Sequence, residues 1–87
     1  MSICFLNDKF LDIQEAKISP LDRGFLFGDA IYEVIIAVNK KPFVLGAHLT
    51  RLKKNISSLK YSLPDQFDLE EIILEVISRN KFINQVI

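Results

Sequence analysis

Two polar residues, Tyr32 and Glu33, lie at the start of an otherwise apolar run that extends from Ile31 to Val38. A phenol or a carboxylate that enters a sheet must find a hydrogen-bond partner or stay near water, because an unpaired buried polar group costs about 1–3 kcal/mol. The pair could therefore serve a binding site, or it could be structural. In the structural alternative, Tyr32 is a core tyrosine with a satisfied hydroxyl, and Arg23 forms an ion pair with Asp29 or Glu33.

A second polar group lies on a helix that is predicted further along the chain. At about 100° per residue, His48, Arg51 and Asn55 fall on one flank of a leucine-rich stripe. Because a guanidinium is planar and always charged, Arg51 could bind a phosphate or a carboxylate through two parallel hydrogen bonds. Alternatively, Arg51 could extend into solvent along its alkyl stem, with His48 at the edge of the core. Periodicity alone leaves both interpretations open.

The elements that must position these side chains follow from turn signals and hydrophobic spacing. Two short apolar runs around Asn7 and Asp8 predict a β-hairpin. Proline and glycine in residues 18 to 24 interrupt regular structure and predict a loop. The β-branched run from Ile31 to Val38 predicts a strand that is buried on both faces in the middle of a sheet. Residues 42 to 44 predict an edge strand, where the missing proline N–H is tolerated.

The second half of the chain predicts two helices and a final strand. Leucines and isoleucines at steps of three and four predict a helix over roughly 46 to 62. The spacing of Asp68 and Glu71 predicts a capping box at the start of a second helix, which ends near Asn80. Residues 82 to 87 predict a strand without a partner. The predicted fold class is α+β, with a small antiparallel or mixed sheet packed against two helices.

The composition excludes several classes of protein. With one cysteine and one histidine, the 87 residues cannot form an internal disulfide, a Cys-x-x-Cys zinc site or a two-histidine metal centre. Lys+Arg 11 balance Asp+Glu 11, so no positive field favours nucleic acid or an anionic membrane. No apolar run approaches the ~20 residues of a membrane span. We expect no metal, nucleic-acid or membrane partner, and a reduced, cytoplasmic environment.

Two motifs in a fixed order carry a resemblance to a known family. They are ISPLDRGFLFGDAIYEV at residues 18 to 34, then Asn39-x-x-Pro42-Phe43 and His48-Leu49-x-Arg51-Leu52. Together they resemble the amino-terminal domain of fold-type IV, or class IV, pyridoxal-phosphate-dependent aminotransferases, over nearly the whole chain. The Tyr-Glu form of the first motif is most similar to that of D-amino-acid aminotransferases. The resemblance implies the D-amino-acid aminotransferase-like fold and amino-group transfer between a D-amino acid and a 2-oxo acid.

The resemblance also implies roles for individual residues. Arg51 matches the arginine that binds the phosphate of pyridoxal 5′-phosphate. Tyr32 matches the tyrosine that faces the substrate carboxylate, and Val34, on the same face of the strand, matches a residue of the substrate side-chain pocket. Glu33 points to the opposite face and is expected to be structural, while His48 is expected at most to support other groups. Arg51 and Tyr32 are therefore expected to converge on one cavity.

One position departs from the family pattern. Family members commonly carry Gly-Asp-Gly where this chain has Gly28, Asp29 and Ala30. A Cβ disfavours a left-handed backbone or a very close approach of another group. We expect the effect of Ala30 to be local and to leave the tyrosine and arginine positions intact.

The lysine that binds the cofactor covalently in this family has no counterpart in this chain. In the family this lysine lies in a second domain, and none of the lysines of this chain matches it. Residues 1 to 87 are therefore expected to form a truncated amino-terminal domain that is inactive by itself, and the family implies a homodimer. Branched-chain aminotransferase and aminodeoxychorismate lyase remain alternatives within the same fold. A non-catalytic interaction module, which kept the fold and lost the chemistry, is an alternative from a different class.

Overall fold

The computed structural model describes residues 2 to 87. The strands are β1 (Ile3–Leu6), β2 (Lys9–Asp12), β3 (Ile36–Val38), β4 (Lys41–Pro42) and β5 (Gln85–Val86), and the helices are α1 (Arg23–Phe27), α2 (Leu45–Ser58) and α3 (Leu69–Arg79). A short 3₁₀ helix covers Ile13–Glu15. The predicted α+β class is confirmed, with the strands divided between two antiparallel sheets.

The first sheet is the predicted hairpin of β1 and β2. Asn7 and Asp8 at its turn have φ angles of 48° and 75°. These left-handed values are those that a two-residue turn needs in order to match the twist of its strands. The Phe5 ring contacts Phe10 edge-on across the hairpin, with ring centroids 4.9 Å apart. Local signals in the sequence are thus sufficient to specify this element.

The second sheet has β3 at its centre, between β4 and β5. Ile36 pairs with Val86, and reciprocal N–H···O=C bonds of 2.8 Å between Ile35 and Ile87 continue the pairing. The prediction that the final run lacks a partner is therefore wrong. The strand predicted over residues 31 to 38 is also too long, because only its last 3 residues are assigned to the strand.

This sheet is buried on one face only, which corrects the prediction of a strand covered on both sides. Ala37 is fully buried, whereas its neighbours Ile36 and Val38 are 53% and 51% exposed. Residues opposite each other in an antiparallel pair share a face. Val86, which is 75% exposed, therefore lies beside Ile36 on the outer side. These exposures show that no element of residues 2 to 87 covers the outer face.

Helix α2 ends earlier than its hydrophobic spacing predicts. The last helical residue is Ser58, and Lys60 follows in a left-handed conformation with a φ of 59°. Leu59 and Leu63 lie beyond the helix end and are 46% and 42% exposed, so they do not extend the apolar stripe. The helix also begins unusually, because its N-cap Val44 has a φ of 49°. A β-branched residue in this region is a backbone outlier.

Aspartate side chains cap the other two helices. Asp68 accepts a hydrogen bond of 3.2 Å from the backbone N–H of Glu71, which confirms the predicted start of α3. Helix α1 begins within residues 18 to 24, for which the sequence predicts a loop. Asp22 caps it by accepting a bond of 2.8 Å from the N–H of Gly24, and Gly28 ends it with a φ of 65°. A cap at each end therefore defines a short helix that composition does not indicate.

Asn80 is a buried polar residue at the end of α3. Its side-chain oxygen accepts a bond of 2.8 Å from the N–H of Ile3, and its amide nitrogen donates to the carbonyls of Ile3 and Val76 at 3.0 and 2.8 Å. These bonds tie β1 to α3. The adjacent core is small and includes Ile77, which is 2% exposed.

The chain exposes a large surface for its mass. The accessible area is 6900 Å² for 10.0 kDa, whereas a compact monomer of this mass exposes about 5,200 Å². The open outer face of the second sheet contributes to this difference. None of the helices in the described range is long and apolar enough to cross a lipid bilayer.

Candidate functional site

The candidate residues on the amino-terminal side lie on the segment that leads from α1 into β3. Exposure alternates along this segment: Glu33 and Ile35 are turned inward, whereas Tyr32 and Val34 are 85% and 47% exposed. A period of two is that of extended backbone, in which successive side chains point to opposite faces. Tyr32 and Val34 therefore share the outer face that Ile36 continues on β3.

Glu33 is the meeting point of two nitrogen-bearing side chains from α2. Arg51 Nε donates a bond of 2.9 Å to Oε2 of Glu33, and Arg51 Nη2 donates to Oε1. His48 Nδ1 lies 2.8 Å from the same Oε1. Of the three side chains, Glu33 is 6% exposed, His48 19% and Arg51 64%. The carboxylate is thus buried beneath α2, and the guanidinium lies between it and solvent.

The charges of this cluster stabilise one another. The hydrogen bond from Arg51 lowers the pKa of Glu33 to about 2 from its ordinary 4.5, and the bond from His48 acts in the same direction. Burial of the carboxylate opposes this shift without cancelling it. The same interaction raises the pKa of Arg51. Glu33 is therefore ionised and Arg51 is cationic throughout the neutral pH range.

The pairing leaves part of the Arg51 guanidinium available. A guanidinium carries five N–H donors in a rigid fork. Glu33 occupies the edge formed by Nε and Nη2, so the edge formed by Nη1 and the second hydrogen of Nη2 remains for another acceptor. An oxyanion with two acceptor oxygens, such as a phosphate or a carboxylate, matches that edge.

A second carboxylate, Asp29, anchors the beginning of the same segment. Arg23 Nε donates a bond of 2.9 Å to Oδ2 of Asp29, and the Tyr61 hydroxyl donates to Oδ1. The Tyr61 bond and then the Arg23 bond lower the pKa of Asp29, and the carboxylate in turn raises the pKa of Tyr61. Of the two ion pairs that the sequence leaves open for Arg23, the structure contains the one with Asp29.

The Ala30 substitution leaves the backbone of this loop unstrained. Ala30 does not have a positive φ, and the left-handed residue of the loop is Gly28. Ala30 therefore adopts a backbone conformation that residues other than glycine adopt readily.

The structure brings Arg51 and His48 together on Glu33 and leaves Tyr32 and Val34 on the other side of the segment. Asn55, the third polar residue of the α2 flank, is partly buried about one turn further on. No concavity lined by both Arg51 and Tyr32 is among five prominent ones on residues 2 to 87. The shared cavity that the resemblance predicts is not among these five, and Arg51 and Tyr32 lie on opposite sides of the segment that carries Tyr32.

Sequence reasoning misses part of this arrangement. It gives Glu33 only a structural role, and it does not single out Tyr61 or Asn80. Two signals were available: the alternation turns Glu33 away from Tyr32, and the helical wheel places His48 beside a cation. A carboxylate that points inward needs a cationic or hydrogen-bonding partner. Within residues 2 to 87, no cluster of three or more His, Cys, Asp or Glu side chains could bind a metal ion.

Comparison with known proteins gives several relatives, although no protein-family model matches the chain. D-alanine aminotransferase from Staphylococcus haemolyticus is 40% identical over 73 residues, which are 84% of this chain and 25% of that protein. A putative branched-chain-amino-acid aminotransferase from Methanocaldococcus jannaschii is 35% identical over 77 residues, with coverages of 87% and 27%. D-alanine aminotransferase from Staphylococcus epidermidis is 34% identical over 85 residues, with coverages of 97% and 30%. The chain thus spans between 25% and 30% of the length of these relatives.

Proposed function

We propose that this chain, which is related in sequence to class IV aminotransferases over 25% to 30% of their length, supplies one part of a pyridoxal 5′-phosphate-dependent transaminase site. The reaction proposed for the whole protein is amino-group transfer between a D-amino acid and a 2-oxo acid. The observation that carries the proposal is the orientation and exposure of the Arg51 guanidinium. Its guanidinium is fixed on Glu33 and is 64% exposed, with a pair of donors left for a phosphate.

The other candidate residues fit the same assignment by their chemistry. The phenol of Tyr32 is 85% exposed and can donate a hydrogen bond to a substrate carboxylate without adding charge. Val34 lies on the same face and offers an apolar contact to the substrate side chain. When bound, pyridoxal phosphate supplies an electron sink for amino-group transfer. The lysine that binds it covalently is proposed to belong to a further domain, so the 87 residues alone are expected to be inactive.

The two kinds of relative give two candidate substrate classes. D-alanine aminotransferases are the relatives at 40% and 34% identity, which favours D-amino acids. The putative branched-chain enzyme, at 35% identity, supports branched-chain amino acids as the second candidate. The outer face around Val34 is apolar and suits the side chains of either substrate class. Substrate profiling therefore has to separate the two classes.

A chimera tests the proposal without any further sequence of this protein. We would replace the matching 73 residues of the Staphylococcus haemolyticus D-alanine aminotransferase with the corresponding 73 residues of this chain, add pyridoxal phosphate, and assay D-alanine with 2-oxoglutarate. We expect the chimera to be active and its Arg51→Met variant to be inactive. Activity with branched-chain amino acids in place of D-alanine would select the second candidate.

Two controls keep the chimera informative. Circular dichroism establishes that each chimera is folded, and Lys54→Met removes a different cation of α2 and should leave activity unchanged. A folded chimera that binds no cofactor and transfers no amino group would contradict the enzyme proposal and favour the interaction module.

The partners follow as proposals from the same assignment. We propose amino acids and 2-oxo acids as substrates and a homodimer as the assembly, because the open outer face of Tyr32 and Val34 needs further polypeptide to become a pocket. The cytoplasm is the proposed compartment, since the single cysteine indicates no dependence on disulfides.

A further inference from the structure

We infer that Glu33 is a positioning residue for phosphate binding. It holds the Arg51 guanidinium by the Nε and Nη2 donors and thereby presents the Nη1–Nη2 edge to a phosphate monoester. This inference rests on the proposed function, because it takes Arg51 as the phosphate ligand. It adds a role for a residue that the sequence indicates only as structural.

The direction of the Arg51 side chain is set from outside its own helix. Glu33 lies 18 residues earlier in the chain, on the segment that enters β3, so the pair is not a contact between successive turns of α2. Arg51 is 64% exposed, and an exposed arginine without a fixed partner samples many rotamers. Two parallel bonds to one carboxylate restrict both the position and the plane of the guanidinium.

Glu33 is itself fixed well enough to act as a support. Its carboxylate is 6% exposed and also bonds to His48 Nδ1 at 2.8 Å. The segment that carries it is anchored four residues earlier, where Asp29 bonds to Arg23 and Tyr61. Because the carboxylate oxygens are held from two directions, the orientation that they impose on Arg51 is defined before any ligand binds.

The negative charge of Glu33 also has an opposing effect, since it repels a phosphate. The positive charge of Arg51, which lies between the carboxylate and solvent, offsets this repulsion. Ordering a free arginine on binding, by contrast, lowers affinity directly. Loss of Glu33 is therefore expected to weaken phosphate binding about fivefold, the size of effect expected for one immobilised side chain.

The experiment measures binding by the 87-residue chain itself, with nuclear magnetic resonance of ¹⁵N-labelled protein. The Arg51 Nε–H signal reports the pair with Glu33 before ligand is added. The probe is pyridoxamine 5′-phosphate, with pyridoxamine as its phosphate-free counterpart. Both lack the aldehyde that would react with the lysines. The phosphate form should bind more tightly and shift the Arg51 signal.

The key variants are Glu33→Gln and Glu75→Gln. Glu75 pairs with Arg79 at 2.7 Å on α3, so its substitution removes the same charge at a different place. Glu33→Gln should weaken binding of the phosphate form about fivefold and accelerate hydrogen exchange at Arg51 Nε. Glu75→Gln should change neither. If Glu33→Gln does not fold, Glu33→Asp keeps the charge, shortens the reach and should weaken binding as well.

The outcomes separate the inference from the function on which it rests. Unchanged or tighter binding in a folded Glu33 variant, with the phosphate preference lost in Arg51→Met, would overturn the positioning role and leave the proposed function standing. An unchanged phosphate preference in Arg51→Met would overturn the assignment of Arg51 itself. Absence of any phosphate preference in the unsubstituted chain would overturn both.

Discussion

Replacing Arg51 by methionine should raise the pKa of Glu33. The hydrogen bond from Arg51 is the largest cause of the depressed value of about 2, compared with an ordinary 4.5. His48 remains as a hydrogen-bond partner of Glu33 in the variant and still lowers its pKa. The pKa of Glu33 should therefore rise from about 2 towards 4.5, and a partial rise satisfies the prediction. At pH 4, a group with a pKa of about 2 is about 99% ionised, whereas one at 4.5 is about 24% ionised.

The assay is a titration of the Glu33 side-chain carboxyl by ¹³C nuclear magnetic resonance between pH 2 and 7. Lys53→Met provides the matched control, because at about 100° per residue it removes a cation of α2 from the flank opposite the cluster and should leave the titration unchanged. A Glu33 pKa near 4.5 in the unsubstituted chain, or an equally low pKa in Arg51→Met, would refute the pairing. Either result would also remove the structural basis of the positioning role.

The same shift fixes the sign of a stability change with pH. Because the pKa of Glu33 is lower in the folded than in the unfolded chain, its ionisation stabilises the fold above about pH 4.5. That contribution is lost as the pH falls towards 2. Glu33→Gln lacks it at every pH, so urea denaturation should show the two chains converging in stability as the pH is lowered. A difference that widens on acidification would contradict this sign.

Four further predictions concern the frame around the site. Asn80→Ala should lower the free energy of unfolding by about 3 kcal/mol in urea denaturation, because both backbone groups of Ile3 lose a partner. Val44→Asn should raise it by about 1 kcal/mol, with a smaller gain for Val44→Ala, because asparagine tolerates the left-handed φ of 49°. Tyr61→Phe should raise the pKa of Asp29 in a carboxyl titration, since its largest lowering cause is removed. Light scattering should detect association of the chain, whose 6900 Å² surface is large for its mass; a monomer at high concentration would contradict this.

The parts of the fold that could be predicted are those specified locally. The hairpin depends on Asn7 and Asp8, and the start of α3 depends on Asp68, all within a few residues of the structure that they define. The extent of β3 depends instead on a partner about fifty residues away, and its one-sided burial depends on what covers the sheet. The local sequence predicts neither the length of β3 nor which of its faces is covered, since the same apolar run is compatible with burial on one face or on both.

The candidate site divides in the same way. Alternation along the segment places Tyr32 and Glu33 on opposite faces, and helical spacing places His48 beside Arg51 on one flank. Sequence spacing cannot establish that the inward face of one element meets the flank of the other. The resemblance assigns Arg51 to a phosphate, but only the structure shows that part of its guanidinium is already occupied by Glu33.

Under the proposed function, one ligand contacts both Arg51 and Tyr32, which lie on opposite sides of the same segment. Adjacent residues of an extended chain are about 3.3 Å apart along the strand, so Glu33, which holds Arg51, and Tyr32 are as close as two faces of one segment can be. Glu33 is held by Arg51 and His48 of α2, and Asp29 is held by a second pair of side chains. A ligand that bound Arg51 through its phosphate would therefore have to extend around the segment to reach Tyr32. Side chains at positions 29 and 33 fix the segment, with Glu33 and Arg51 on its inner side and Tyr32 on its outer face.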